Sequence, residues 1–126
     1  MDKKEKEVEL LSFGYLYGLP EQADMVLDVR GLKNPFYEPQ LKALTGRDKA
    51  VQDYIFAFPE SRDYLEKAMA LVELHLQLWE KGHYPTVRIA VGCTGGRHRS
   101  VAMVLAMAQR LEAGGWRVTV RHRQID

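Results

Sequence analysis

Cysteine occurs once in these 126 residues, at Cys93, so no intramolecular disulfide can form. A core must hold the fold, and 46% hydrophobic with 28% charged residues supplies one without a disulfide or metal staple. No apolar run approaches the roughly 20 residues a membrane span needs. The mixed-charge start Met1-Asp2-Lys3-Lys4-Glu5-Lys6-Glu7 has no apolar segment behind it like a secretory signal. A soluble chain without membrane contact, in a reducing cytoplasm, is the expectation. The pattern Gly-x-x-x-x-Gly-Lys-Ser/Thr occurs nowhere, so nucleoside triphosphate hydrolysis is not expected. Internal repeats are missing too, and the charged leader is the sole biased tract.

Net charge is also small, +1, but unevenly placed. From Thr86 onward seven arginines (88, 97, 99, 110, 117, 121, 123) face only Glu112 and Asp126, a balance of +5 that leaves −4 for residues 1–85. A basic final third on a mildly acidic body suggests a local anionic partner rather than a wholly basic nucleic-acid coat. Scattered arginines on solvated faces would give the same count.

The length fits one domain. Residues 1–7 read as a disordered, solvated leader, and residues 8–126 as the domain. Val8–Phe13 is an expected strand closed by Gly14 and Gly18-Leu19-Pro20, and Met25–Val29 a short apolar one, as a buried parallel strand should be. Residues 30–49 carry Gly31, Asn34-Pro35, Glu38-Pro39 and Thr45-Gly46 and should be mostly loop, a length that usually marks function or mobility. Helix is expected over Ala50–Phe58 and again from Pro59 to about Lys81, with Gly82 ending it. Apolar residues at 65, 69, 72, 76 and 79 form its stripe, which Leu71, Leu74 and Leu78 are expected to widen into a broad buried face. His75 on this helix reads as a packed or surface histidine rather than a ligand. Val87–Val91 is a third strand, His98–Ala113 a helix stopped by Gly114-Gly115, and Trp116–Val120 a fourth strand. The fold class that follows is α/β, a single-domain open and mostly parallel sheet of about four strands with helices on both faces.

Between the third strand and the last helix stands Gly92-Cys93-Thr94-Gly95-Gly96-Arg97-His98-Arg99-Ser100. Ligands of open α/β sheets bind at the carboxyl ends of strands. A helix N-terminus there offers N–H groups and partial positive charge to an anion. Glycines allow the backbone to wrap closely, Arg99 supplies a guanidinium fork, Thr94 and Ser100 supply hydroxyls, and His98 titrates near neutral pH. Cys93, Arg99 and Ser100 also have the Cys-x5-Arg-Ser/Thr spacing of cysteine-dependent phosphatases, in which a thiolate attacks phosphorus while arginine holds the oxygens. Gly92 replaces the histidine of the commonest tyrosine-phosphatase version, and Asp28, Asp48 and Asp53 are undirected candidates for the general acid. A packing role for Cys93 is the other reading.

The run Gly92–Val101 resembles the signature of the C-terminal domain of the RapZ (RNase adapter protein) family. Ser12-Phe13-Gly14, Tyr17-Gly18, Asp28-Val29-Arg30, Asn34-Pro35, Leu44-Thr45-Gly46, Asp48-Lys49 and Arg121-His122-Arg123 support the resemblance in the family's order. It implies an α/β domain with a phosphate-binding pocket, no cofactor and no catalysis. In enteric members this domain senses an amino-sugar phosphate and binds small regulatory RNA, which the full protein hands to an endoribonuclease. The site carries over onto Cys93, Thr94, Gly95, Gly96, His98, Arg99 and Ser100, joined by Asp28 and Arg30. Arg97, Arg117, Arg121, His122 and Arg123 are the candidates for RNA phosphates, though no array of stacking aromatics is evident beside them. The family also suggests a homo-oligomer. The nucleotide-binding N-terminal half of the family, with its Walker A loop, has no counterpart in these residues, and the charged leader at Met1 suggests a stand-alone chain. Phe36 stands where enteric members carry a histidine, which leaves the identity of the ligand open.

Overall fold

The computed structural model describes residues 7–79 and 85–126. Strand β1 (Glu7–Gly14) leads through a 3-10 turn at Tyr15–Tyr17 to β2 (Met25–Asp28). A second 3-10 turn, Pro35–Tyr37, precedes α1 (Lys49–Phe56) and α2 (Pro59–Trp79). Strand β3 (Thr86–Cys93), α3 (Arg99–Ala113) and β4 (Arg117–His122) complete the chain. The leader expected over residues 1–7 lies outside the described residues except for Glu7, which opens β1; the expected end of α2 near Gly82 lies outside them too.

All pairings are parallel, in the order β2-β3-β1-β4. The open four-stranded α/β domain is as expected. The helices are not. In register, Val8 lies beside Val87 and Val118, and Leu10 beside Ile89 and Val120, and all six belong to or pack on one cluster with Leu65, Met69, Val72 and Leu76 of α2 and Met103, Met107 and Leu111 of α3. Both helices therefore lie on one face, not on both. The crossover rule gives the reason. The steps from β2 to β3 and from β3 to β4 run the same way across the sheet, so right-handed connections put both on the same side. The step from β1 back to β2 runs the other way and puts Tyr15–Asp24 on the second face, which no described helix covers. That face carries the Arg88–Glu9 ion pair at 2.9 Å.

Helix α2 corrects a second expectation. Leu71, Leu74 and Leu78 are 50%, 51% and 61% exposed, whereas Leu65, Met69, Val72 and Leu76 are buried. At roughly 100° per residue, Leu74 and Leu78 lie about 200° and 240° round the helix from Val72. They form a separate stripe on the far side rather than a widening of the core face. His75 stacks on Trp79, with ring centroids 4.9 Å apart.

The contrast between the two stripes is measurable by denaturant unfolding. Leu76→Ala is expected to cost about 2–5 kcal/mol, and Leu74→Ala to stay within about 0.5 kcal/mol of the parent. Equal losses at both positions would contradict the one-sided packing of α2.

Candidate functional site

The carboxyl ends of β1 and β3 are neighbours, with Gly14 paired to Cys93. Their following segments leave toward opposite faces, which is the arrangement that opens a binding crevice in α/β sheets. The loop after β3 folds into that crevice. A Cβ on Gly14 would stand 2.5 Å from the carbonyl carbon of Gly95, and one on Gly96 2.5 Å from the Gly14 nitrogen. Gly96 also takes φ +76°, in the left-handed region that favours glycine. The Leu16 N–H donates to the Thr94 carbonyl at 3.2 Å, tying the segment after β1 to the loop.

Cys93 is buried at the end of β3. Its Sγ accepts from the Gly96 N–H at 3.3 Å and lies 3.2 Å from the Ser100 hydroxyl. Ser100 is itself fully buried at the first turn of α3. The helical ladder begins with the Ala102 N–H donating to the His98 carbonyl at 3.0 Å, so the N–H groups of Arg99, Ser100 and Val101 precede it at the loop.

The two basic side chains of this turn face inward. Arg99, 4% exposed, donates from Nη1 to the carbonyls of Arg30 at 2.6 Å and Leu32 at 3.2 Å, and from Nη2 to Thr94 Oγ1 at 3.3 Å. His98 is 6% exposed. Burial holds its pKa below the ordinary histidine value, the neighbouring Arg97 pushes the same way, and the backbone of Leu41, Lys42 and Leu44 opposes both. Gly46 seals the same junction: its N–H donates to the Arg97 carbonyl at 2.8 Å, and a Cβ there would lie 2.5 Å from the Ala102 nitrogen. The long segment before α1 is thus clasped onto the start of α3.

Asp28 and Arg30 form a second cluster at the end of β2. The Arg30 guanidinium donates from Nε at 3.0 and 3.2 Å and from Nη2 at 2.8 Å to the Asp28 carboxylate, and lies 3.8 Å over the Tyr15 ring. That hydrogen bonding to Arg30 holds the Asp28 carboxyl below its usual range. Arg30 reaches the loop through its main-chain carbonyl, while its side chain is committed to Asp28. The other acid candidates are engaged too: Asp48 Oδ2 accepts from the Thr45 N–H at 2.8 Å, and Asp53 pairs with Lys49 at 2.7 Å.

A pocket of about 340 Å³ opens over the loop, lined by Cys93, Thr94, Gly95, Arg97, His98 and Arg99. Among the expected site residues, Gly96, Ser100, Asp28 and Arg30 support this lining from behind or beside it. Thr94 and Arg97 are exposed on it. Sequence reasoning missed the opposite wall, Leu16, Tyr17, Asn34 and Tyr37, which joins Phe36 there. All four fall in the turn-rich stretches 15–18 and 34–37, where the large apolar side chains of Leu16, Tyr17 and Tyr37 were an available signal.

The arginines proposed for RNA fall in separate places: Arg121 and Arg123 line one pocket and Arg97 another. Arg97 stands at the pocket. The β4 register places Arg117 and Arg121 beside Glu7 and Leu11, on the sheet face away from the helices. His122 Nδ1 shares a 2.7 Å hydrogen bond with the Ser12 hydroxyl. Arg123 donates to the Gly18 carbonyl and lies 5.3 Å from the Phe13 ring centroid.

A family model described as the RapZ C-terminal domain matches residues 6–126. Proteins named as nucleotide-binding proteins are similar over most of the chain. That of Carboxydothermus hydrogenoformans is 43% identical over 119 residues, covering 94% of this chain and 41% of its own length. Those of Limosilactobacillus reuteri and Bifidobacterium adolescentis are 44% and 50% identical, again over 94% of this chain, and 41% and 38% of their own lengths. The chain therefore spans about two-fifths of the curated relatives it matches.

Two measurements probe this construction. Gly14→Ala drives a Cβ into the Gly95 backbone and is expected to cost about 1–3 kcal/mol; Gly31→Ala, which meets nothing within 4 Å, should be near neutral. The second is pH. His98 and His122 both have folded pKa values below the ordinary histidine value, His122 through burial and then Arg47. Below about pH 6.5 the unfolded chain then binds more protons than the folded one, so stability falls as pH drops. The melting temperature should be level above about pH 7.5 and decline through pH 6 to 5, with a shallower decline in His98→Gln. A flat profile in the parent would refute the lowered pKa of the two imidazoles.

Proposed function

The chain belongs to the RapZ C-terminal domain family, and from that premise we propose that it is a non-enzymatic regulatory domain whose loop Cys93–Ser100 binds a phosphorylated sugar or similar anion. One observation carries the reading: the start of α3 and the exposed Thr94 and Arg97 meet in a single pocket at the carboxyl end of the sheet. N–H groups at a helix N-terminus suit a phosphate, Arg97 adds mobile charge, and buried Arg99 and His98 fix the loop rather than compete for solvent. The domain is taken to work in the cytoplasm as a homo-oligomer.

Small RNA, handed on to an endoribonuclease, is the partner that the family resemblance adds to the proposal. The +5 balance of the final third supports it. Arg97, Arg117 and Arg121 would then contact phosphates at separate places on the surface. Such binding should weaken steeply with salt, and undetectable or salt-insensitive binding to structured RNA would count against it.

One arrangement favours a second reading. The Gly96 N–H and the Ser100 hydroxyl both lie at Cys93 Sγ, where they would stabilise a thiolate. Phosphatase activity would appear as hydrolysis of an aryl phosphate, lost in Cys93→Ser, whereas the regulatory reading expects no turnover.

A thermal-shift titration tests the anion site. Phosphorylated sugars should raise the unfolding midpoint where their unphosphorylated parents do not. Arg97→Ala should weaken that response about tenfold, as loss of one charge-assisted hydrogen bond implies. No response to sugar phosphates, nucleotides or inorganic phosphate would sink the pocket.

A further inference from the structure

Strand β4 closes the sheet on one side, and no described strand pairs with its outer edge. Its register to β1 runs unbroken from Arg117 to His122, without a bulge, and it contains no proline. Such an edge presents a row of main-chain donors and acceptors. Strand alternation says which ones. The Arg123 N–H donates to the Ser12 carbonyl of β1 at 2.9 Å, so Thr119 and Arg121 also turn their main-chain groups toward β1, while Val118 and Val120 turn theirs outward. No group among the described residues bonds the main chain of Val118 or Val120 on that outer side.

The two faces beside this edge differ in chemistry. On the open face, exposed Arg121 lines a groove of about 410 Å³ with Arg88 and Arg123. Arg88 is paired there with Glu9, whereas Arg121 has no carboxylate partner among the described residues. On the helix face, a second groove of about 410 Å³ reaches β4 at Val120 and is lined by Phe56 of α1 and by Ala102, Leu105 and Ala106 of α3. Asp53 and Glu112 line it as well, so a carboxylate is repelled from this side and attracted to the other. Neither groove shares a residue with the pocket over the loop after β3.

These features select the occupant. A second copy pairing β4 with β4 antiparallel about Thr119 would set Arg117 opposite Arg121, and like charges directly opposite are unfavourable. A nucleic acid would engage the arginines but leave the outward main chain and the apolar groove unused. An extended peptide engages all three. We propose that β4 is a docking edge for an acidic, extended segment of a protein partner, which joins the sheet as a fifth strand. Its carboxylates lie over Arg121 on the open face, and its apolar side chains enter the groove beside Val120. Main-chain pairing supplies affinity in such additions, and the alternate side chains supply selectivity. The complementary pattern is acidic, apolar, polar, apolar, acidic, with the outer two residues opposite Arg117 and Arg121.

The test uses the intact chain and an end-blocked, labelled peptide of sequence Ser-Glu-Val-Thr-Val-Glu-Ser, followed by fluorescence anisotropy and amide hydrogen exchange. The peptide should bind and should protect the Val118 and Val120 amides, which exchange freely in the chain alone. The Thr119 and Arg121 amides should be protected in both states. Arg121→Glu, at an exposed position outside the core, should weaken binding about tenfold or more. The same peptide with lysines in place of its glutamates should bind that variant better than the parent, and N-methylation of its central Val-Thr-Val should abolish binding. Absence of binding, equal binding of a scrambled or N-methylated peptide, or Val118 and Val120 amides already protected in the chain alone would each overturn the docking edge. Structured RNA that binds through Arg121 and is not displaced by the peptide would overturn it too, and would make this face a nucleic-acid surface.

Discussion

A guanidinium sealed inside a protein is tolerable only if its donors find acceptors. Arg99 meets that demand at Nη1 with main chain, taking the carbonyls of Arg30 and Leu32, which otherwise belong to a segment with little regular structure of its own, and at Nη2 with Thr94, while its Nε has no partner among the described residues. Two residues earlier the Arg97 carbonyl accepts from the Gly46 N–H at 2.8 Å. Residues at the start of one helix thereby hold both ends of a connection that runs from β2 to α1. The pocket depends on this clasp, because the segment supplies Asn34, Phe36 and Tyr37 to its wall.

The clasp in turn depends on how closely the loop after β3 lies against the end of β1. Gly14, Gly96 and Gly46 each leave room where any side chain would collide with backbone. Their absence of side chains brings three strand ends and a helix start together within a small volume. Close backbone approach also brings the N–H groups at the start of α3 to the loop, where the proposed anion site would use them. Arg97 is exposed beside them.

A division of labour results between the two sides of the pocket. The floor is built by β3 and α3, elements set by sheet pairing and the core; the wall is built by turns after β1 and β2. Under the proposed function, change in the turns would alter what accompanies a phosphate without disturbing how it is held. The family relationship therefore speaks more directly to the floor than to the ligand as a whole.

The strand–loop–helix around Cys93 was legible from the sequence because every signal for it is local: an apolar strand, glycines, a polar run, and a periodic helix stopped by Gly114-Gly115. The four parallel strands were legible for the same reason. Where side chains point was not. Leu71, Leu74 and Leu78 counted as buried on spacing alone, but a helix resting on one layer has a far side that spacing cannot label. Helices on both faces followed from alternation, whereas strand order and the handedness of crossovers decide the face. Arg99 and His98 look like solvent-facing ligands in the motif; their inward turn depends on carbonyls far along the chain, 69 residues away for Arg30. Sequence by itself determined that a glycine-rich loop lies between a buried strand and a helix, since backbone chemistry there is local. Only the tertiary structure decided which of its charges meet solvent and which aromatics stand opposite, because those contacts exist only once the sheet has brought distant segments together.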